Sequence, residues 1–177
     1  MMLNLYDVLS VVGQETTVQM QVSELQASFQ GEDILVTGEK PFDVAAKHIE
    51  KEIVSVSFEV AVDVVRTCSR CLEKVNCEYQ LSVFRNINVA NKEAYIDNAS
   101  EADEISYIED CNLDVDMLVL DELYTVLPMN VICKEDCKGI CKVCGTNLNE
   151  STCNCDQTVP DPRMAVFSDI FNQFKEV

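Results

Sequence analysis

The first 90 residues of the chain alternate between hydrophobic and polar positions. The segment 18–22 has this pattern, and a long run rich in β-branched residues extends from Ile53 to Val65. A further alternating run extends from Val75 to Phe84. A period of two places every second side chain on one face, so these segments predict an antiparallel sheet or a partly open barrel. The sequence Cys68-Ser69-Arg70-Cys71 then lies at the tip of the hairpin that joins the two longest strands.

A helical period replaces this alternation in the second half of the chain. Asp110 or Asn112 is the expected N-cap of one acidic amphipathic helix, and Pro128 follows its last apolar residue. Aspartates in the first turn also favour the positive end of the helix. Five apolar residues recur at intervals of 4, 3, 4 and 3 and define its predicted buried stripe: Leu113, Met117, Leu120, Tyr124 and Leu127.

The remaining segments complete the predicted architecture. Residues 86–104 lose periodicity and predict a mobile acidic loop, and residues 105–108 predict one short strand. A short amphipathic helix is expected over residues 164–174. The predicted fold class is therefore α+β, with a β-rich domain that carries the acidic loop and helix over residues 1–132. Residues 133–177 are expected to form a cysteine-rich zinc lobe with the terminal helix packed on it.

The charge of the chain is strongly negative. Thirteen basic residues stand against 31 acidic ones, for a formal net charge of −18, and the segment 91–132 holds eleven acids and one base, Lys92. Two zinc ions, each bound by four thiolates, would bring the total to about −22. Such a field repels phosphate backbones and attracts cations. The acidic segment is therefore either a solvated surface or a docking face for a basic partner.

The sequence predicts a cytoplasmic protein without a membrane segment. No apolar run approaches the roughly 18 residues that span a bilayer, and the first residues lack the features of a signal peptide. In a reducing compartment, thiols bind metal or stay free, so five disulfides are not expected. The single histidine, His48, lies in the strand region and is expected at the surface.

Eight of the ten cysteines form four close pairs. Four pairs supply two complete sets of four thiolates, which is what two closed, structural zinc sites require. Cys77 and Cys111 each stand alone, and we expect them to lie outside the metal sites. The predicted ligands are Cys68, Cys71, Cys133, Cys137, Cys141, Cys144, Cys153 and Cys155.

The partition of these eight cysteines is open at this point. The favoured arrangement joins Cys68 and Cys71 with Cys133 and Cys137, and leaves the last four for a second ion. The main rival joins Cys68 and Cys71 with Cys141 and Cys144 instead. A single zinc ion or an iron–sulfur cluster is a further alternative. The segment Cys141-Lys142-Val143-Cys144-Gly145 has the form of a zinc knuckle, because its glycine permits a tight return.

Catalysis has little support in the sequence. Eight thiolates are enough to close both zinc sites, whereas a catalytic zinc keeps one position open for water. Phosphate-cradling glycine loops, a nucleophile elbow and the zinc deaminase pattern are missing. We therefore expect no enzyme and no small-molecule substrate. Lys134, Lys138 and Lys142 recur every four residues in the zinc lobe and either neutralise thiolates or contact RNA phosphates.

Several motifs, in order along the chain, resemble the YceD family, the large ribosomal RNA subunit accumulation proteins of bacteria and plastids. The departure from the family pattern is Met129-Asn130, where relatives tend to be more apolar. The motifs are Cys68-Ser69-Arg70-Cys71, Asp121-Glu122-Leu123-Tyr124-Thr125-Val126-Leu127-Pro128, the run from Cys137 to Asn149, Cys153-Asn154-Cys155 and Asp161-Pro162-Arg163.

The resemblance implies a non-enzymatic role in accumulating 23S ribosomal RNA during large-subunit assembly. It also implies a partner, because the family's genes are typically neighbours of the gene for the small, basic ribosomal protein bL32. The leading hypothesis is therefore a zinc-stabilised assembly factor that binds a basic ribosomal protein or a large-subunit precursor, with contact to 23S rRNA at most indirect. The alternatives are direct binding of precursor 23S rRNA by the zinc lobe and a zinc-dependent nuclease.

Overall fold

The described part of the chain is residues 1–90, 93–95, 107–109 and 111–155 of a computed structural model. It falls into two units. The first unit comprises Met1–Thr67 and Lys74–Val131, and the second comprises Cys68–Glu73 and the described part of Ile132–Val177. The loop Cys68–Glu73 thus belongs to the second unit, whereas the predicted division at residue 132 placed it in the first domain.

The first unit is built on a seven-stranded antiparallel sheet, which confirms the sheet predicted for the α+β fold. Its strands are β2 (Glu15–Met20), β3 (Leu25–Phe29), β4 (Glu32–Thr37), β5 (Phe42–Glu50), β6 (Ile53–Thr67), β7 (Lys74–Asn88) and β8 (Glu93–Tyr95). Strand β6 pairs with β7 along its whole length, so β4 and β5 share its other edge. A smaller sheet joins β1 (Met2–Asn4), β10 (Asn112–Asp114) and β9 (Ile108–Glu109) in that order.

The hairpin of β6 and β7 is the longest element of the structure. Its register runs without interruption from Ile53 opposite Asn88 to Thr67 opposite Lys74. The even-numbered residues of β6 from Val54 to Val64 are buried, as the alternating sequence predicts. The hairpin ends at the loop Cys68–Glu73, so the first cysteine pair lies at its tip as expected.

Strand β7 is longer than predicted, because residues 86–88, which were assigned to the acidic loop, belong to the strand. The strand continues through Asn88, and β8 pairs with its last residues. The Asn-rich end of β7 has poor strand propensity, but Ile87 is buried and the backbone pairs with the start of β6. Pairing and burial therefore extend the strand beyond the periodic sequence.

Helix α2 spans Val115–Val126, and both its start and its buried face differ from the prediction. The N-cap is Asp114, whose carboxylate accepts hydrogen bonds from the backbone N–H groups of Asp116 and Met117, whereas Asp110 or Asn112 was expected. The chain cannot begin the helix earlier because Asn112–Asp114 forms strand β10.

The buried face of α2 consists of Val115, Leu118, Val119 and Leu123. Of the predicted stripe, Met117 and Tyr124 are exposed. The helix carries two overlapping apolar stripes, and periodicity alone does not tell which of them faces the sheet.

Two further features depart from the sequence analysis. A short helix, α1 (Tyr6–Leu9), was not anticipated. His48 is buried rather than exposed, because the alternation of β5 places it on the same face as Val44 and Ala46. Its Nε2 atom lies 2.6 Å from the backbone oxygen of Lys51.

Two expectations concern helices. The predicted terminal helix over residues 164–174 lies outside the described residues. Within the described ranges, no helix has the length and apolar character needed to cross a membrane.

A buried ion pair joins α2 to β7 and yields a stability prediction. Arg85 Nη2 donates to Glu122 Oε2 at 2.8 Å, with side chains 8% and 19% exposed. Glu122→Ala leaves the guanidinium buried without its counter-charge, so we expect unfolding in urea to require about 3–5 kcal/mol less free energy.

The matched control is Glu15→Ala, which removes an exposed pair with Lys47 at 3.8 Å. That change should cost less than about 1 kcal/mol. Equal effects of the two substitutions would contradict the assignment of Arg85 and Glu122 as a structural pair.

Candidate metal centres

All eight paired cysteines lie in the second unit and form two groups of four. We call Cys68, Cys71, Cys133 and Cys137 the first cluster, and Cys141, Cys144, Cys153 and Cys155 the second cluster. Within each cluster the four Sγ atoms lie within 4.8 Å of one another. These are the two sets that the cysteine spacing favoured, and the rival grouping is not found among the described residues. Cys77 and Cys111 belong to neither cluster.

The sulfur separations in the first cluster suit a tetrahedral ion. Cys68 Sγ lies 4.0 Å from Cys137 Sγ, and Cys71 Sγ lies 3.6 Å from Cys133 Sγ. Four sulfurs at the usual zinc–sulfur distance of about 2.3 Å define a tetrahedron with edges of about 3.8 Å. All ten cysteines are free thiols. The first cluster therefore has the donor set and the spacing of a structural zinc site.

Backbone geometry of the hairpin loop directs the first pair of sulfurs. The N–H of Cys68 donates to the carbonyl of Glu73 at 2.8 Å, and that of Leu72 donates to the carbonyl of Cys68 at 3.0 Å. Within this turn, the Arg70 N–H points at Cys68 Sγ at 3.5 Å. The Cys133 N–H approaches the same sulfur at 3.4 Å. N–H groups aimed at sulfur stabilise a thiolate and hold it in position.

Arg70 and Gly139 bring the loop against the segment between the two clusters. The Arg70 guanidinium donates to the carbonyl oxygens of Glu135 and Cys137 at 3.3 and 3.1 Å. The Arg70 carbonyl accepts from the Ile140 N–H at 3.0 Å. Gly139 has a φ of +76°, and a Cβ atom there would lie 2.9 Å from the Arg70 oxygen. A glycine is therefore required at this point of close approach.

The second cluster is built on the predicted knuckle. The Gly145 N–H donates to the Cys141 carbonyl at 2.9 Å, and the Val143 N–H points at Cys141 Sγ at 3.4 Å. Cys144 Sγ lies 3.1 Å from the Thr146 hydroxyl. This cluster is more open than the first: only Cys141 is buried and Cys144 is exposed, whereas three cysteines of the first cluster are buried.

The second unit has no aliphatic core among its described residues. Its buried side chains are the cysteines Cys68, Cys71, Cys137 and Cys141, and its aliphatic residues are exposed or half-buried. Within the described part of this unit, the cysteines therefore take the buried positions that apolar side chains occupy in the first unit.

The thiol pKa values differ sharply within each cluster. Backbone N–H donation from Cys71, with further donation from Arg70 and Cys133, lowers the pKa of Cys68 to about 6. Hydrogen bonds from Thr146 lower the pKa of Cys144 to about 6. Interaction with Cys144, together with burial, raises the pKa of Cys155 to about 12. Crowded thiols without a cation thus keep some of their protons, and a divalent ion would displace them.

The sequence analysis gave no role to two asparagines that approach the clusters. Asn147 and Asn149 lie between Cys144 and Cys153, and Asn149 Nδ2 donates to Cys137 Sγ at 3.4 Å. No local pattern marks them, because their partners Glu73 and Cys137 are brought near by the fold and not by spacing along the chain.

An antiparallel sheet combined with a small module of two four-cysteine clusters defines a β-rich protein with a candidate structural metal-binding module. Residues 56–171 match the family model described as large ribosomal RNA subunit accumulation protein YceD. The chain therefore belongs to the YceD family.

The similar curated proteins are mycobacterial. The chain is 30% identical over 114 residues to an uncharacterized protein of Mycobacterium tuberculosis (strain ATCC 25618 / H37Rv), covering 64% of this chain and 54% of that protein. It is 26% identical over 106 residues to an uncharacterized protein of Mycobacterium leprae (strain TN), covering 60% and 48%. The chain thus spans about half the length of these curated relatives. No solved structure shows a significant match.

The contact at Gly139 gives a prediction about the module. In Gly139→Ala, the alanine must adopt the left-handed φ of +76°, and its Cβ atom would lie 2.9 Å from the Arg70 oxygen. We expect less bound metal per chain and faster proteolysis within residues 132–155, measured by native mass spectrometry and limited trypsin digestion.

Gly145→Ala is the matched control, because its φ is +73° and nothing lies within 4 Å of its Cβ position. This variant introduces only the strain of an alanine in a left-handed conformation, which costs about 1–2 kcal/mol. If both variants lose metal equally, the close approach to Arg70 is not what requires Gly139.

The thiol pKa values predict the pH dependence of metal uptake. A metal binds thiolates, so it must displace protons from thiols whose pKa lies above the pH, such as Cys133, whose pKa burial raises, and Cys155. Zinc affinity of the metal-free protein should therefore fall as the pH falls from 8 to 6. Isothermal titration in two buffers of different ionisation enthalpy measures the proton release. Uptake without proton release would show that the thiols are not the ligands.

Proposed function

We propose that this protein is a non-enzymatic assembly factor of the large ribosomal subunit that supports the accumulation of 23S ribosomal RNA. The observation that carries the proposal is membership of the YceD family, whose description names large ribosomal RNA subunit accumulation. The net charge of −18 supports a protein partner, because a strongly anionic chain is repelled by RNA and attracted by basic ribosomal proteins.

The metal centres have a structural role in this proposal. Each cluster binds one zinc ion through four thiolates, which complete the tetrahedral shell of a structural site. A closed shell leaves no position for an attacking water, so neither ion supports a nuclease reaction. Metal binding by thiolates requires reduced cysteines, so the proposal places the protein in a reducing, cytoplasmic compartment.

The docking face includes the exposed side of α2. Of the acids of the helix, Asp121 lines the groove described below, whereas Asp116 pairs with the N-terminal amine and Glu122 pairs with Arg85. The last turn of the helix lacks a basic residue, so the negative end of its dipole is not offset there. Both features favour a partner that presents lysine or arginine.

Apolar anchors accompany these charges on α2. Met117 and Tyr124 are 41% and 37% exposed, and with Leu120 and Asp121 they line a shallow groove. The Tyr124 ring stacks on Phe29 with ring centroids 6.0 Å apart, which restrains its orientation. Exposed aromatic and methionine side chains are enriched in interfaces, and the Asp121 carboxylate beside them favours a basic partner. We infer that a basic ribosomal protein, with bL32 as the first candidate, or a precursor particle that exposes one, occupies this groove.

A binding measurement with defined components tests the function. The full chain is immobilised and incubated with purified bL32 and with the salt-extracted proteins of the large subunit, at low and moderate salt. We expect at least one ribosomal protein to bind, with affinity that falls with salt and falls further in Tyr124→Ala/Asp121→Asn.

Phe84→Ala is the matched control, because Phe84 is similarly exposed, at 42%, but lies on β7. It should bind as well as the unchanged chain. If no large-subunit protein and no precursor particle binds, the proposed function is wrong. If binding is intact in the α2 variant, the partner uses another surface.

Direct RNA binding is the second candidate. Lys134, Lys138 and Lys142 are all exposed in the second unit. Filter binding of precursor 23S rRNA distinguishes the two functions. Binding that weakens steeply with salt and on replacing the three lysines with glutamate would favour the RNA candidate.

A further inference from the structure

We propose that the two metal centres are thermodynamically coupled, and that Asn149 is the positioning residue that carries the coupling. The inference rests on the proposal that both clusters bind metal. It concerns how metal at the second cluster, the more open one, controls the affinity of the first.

The side chain of Asn149 is committed to the surroundings of the first cluster. Its Nδ2 donates to Cys137 Sγ at 3.4 Å and to Asn147 Oδ1 at 2.9 Å. Its Oδ1 accepts from the Lys138 N–H at 2.9 Å, next to the same ligand. Donation to sulfur favours the thiolate form that a metal ion binds. Asn149 therefore orients a ligand that it does not adjoin in sequence.

Asn147 extends this link to the loop that carries two ligands of the first cluster. Its Nδ2 donates to Glu73 Oε1 at 2.8 Å, and Glu73 belongs to the loop that bears Cys68 and Cys71. Its Oδ1 accepts from the Asn149 N–H at 3.0 Å. The same pair of asparagines thus contacts the Cys137 ligand and the loop that bears Cys68 and Cys71.

Both asparagines belong to a segment whose ends are fixed by the second cluster. Residues 145–152 connect Cys144 to Cys153, so ligands of one ion bound the segment on either side. The segment also pairs with the chain between the clusters: the Leu148 N–H donates to the Gly139 carbonyl at 2.9 Å, and that of Cys141 donates to the Thr146 carbonyl at 2.8 Å. An ion in the second cluster restrains this segment and with it Asn149.

The consequence is positive cooperativity. Without an ion in the second cluster, residues 145–152 gain conformational freedom. Holding Asn149 against Cys137 then costs entropy, and the free energy of metal binding at the first cluster must offset that cost. The first cluster then binds metal more weakly. Because the coupling is reciprocal, an ion in the first cluster also raises the affinity of the second.

The test measures occupancy of the first cluster separately from that of the second. Full-length protein is equilibrated at buffered free zinc concentrations and treated with iodoacetamide. Protection of the first-cluster cysteines is then read by peptide mass spectrometry. Cys153→Ser/Cys155→Ser, which removes two ligands of the second cluster, should lower the zinc affinity of the first about 10- to 100-fold, and Asn149→Ala should do the same.

The combined variant tests the route of the coupling. If Asn149 carries it, joining Asn149→Ala to Cys153→Ser/Cys155→Ser should weaken the first cluster hardly more than either change alone, because both remove the same interaction. Losses that multiply would overturn Asn149 as the link.

Two further proteins separate positioning from general damage to the module. Asn154→Ala alters an exposed asparagine between two second-cluster ligands and should leave the first cluster unchanged. Asn149→Asp keeps the acceptor for Lys138 but loses the donor to sulfur, so it should weaken binding as Asn149→Ala does. In cobalt-substituted protein, both Asn149 variants should shift the sulfur-to-cobalt charge-transfer band of the first cluster.

Two outcomes would overturn the proposal in distinguishable ways. Unchanged first-cluster affinity after loss of the second-cluster ligands refutes the coupling and leaves the metal centres standing. A chain in which neither cluster gains protection from zinc refutes the metal centres themselves.

Discussion

The convergence of cysteine sulfurs is the constraint on which the described part of the second unit depends. Four thiols from segments more than sixty residues apart converge at the first cluster, and no aliphatic side chain is buried in the described part of that unit. Four thiolates this close together would repel one another. In the metal-free state, some of the four cysteines must therefore remain protonated thiols. In the proposed function, a divalent cation would remove this conflict by displacing the remaining protons. The cysteine sulfurs form the site, and the hydrogen bonds of Arg70, Asn147 and Asn149 hold the segments that carry them in position.

The first unit is stabilised in a different way. Its core is a continuous set of aliphatic side chains from the sheet and from α2, with a few buried arginines that are paired with glutamates, such as Arg66 with Glu32. Hydrophobic burial supports this unit whether or not metal is bound.

Much of this architecture follows from local sequence signals. Strict alternation identified the hairpin of β6 and β7, and the close cysteine pairs indicated both clusters, because these features depend on spacing along the chain. Where tertiary contacts decide, the sequence was insufficient. The end of β7 is held by pairing with β6, the cap of α2 is displaced by strand β10, and His48 is buried by the register of β5.

The asparagines are the clearest case of information that spacing does not contain. Asn147 and Asn149 are ordinary polar residues in a short loop, and their role depends on contacts with Glu73 and Cys137, which the fold brings near. The choice between two overlapping stripes on α2 has the same origin, since only the packed sheet selects Leu118 and Leu123 over Met117 and Tyr124.

Native mass spectrometry of the freshly purified full-length protein tests the central claim most directly, since it reports metal identity, metal count and subunit number together. The account predicts two zinc ions per chain and ten reduced cysteines. A metal-free chain whose cysteines are joined as disulfides would contradict it.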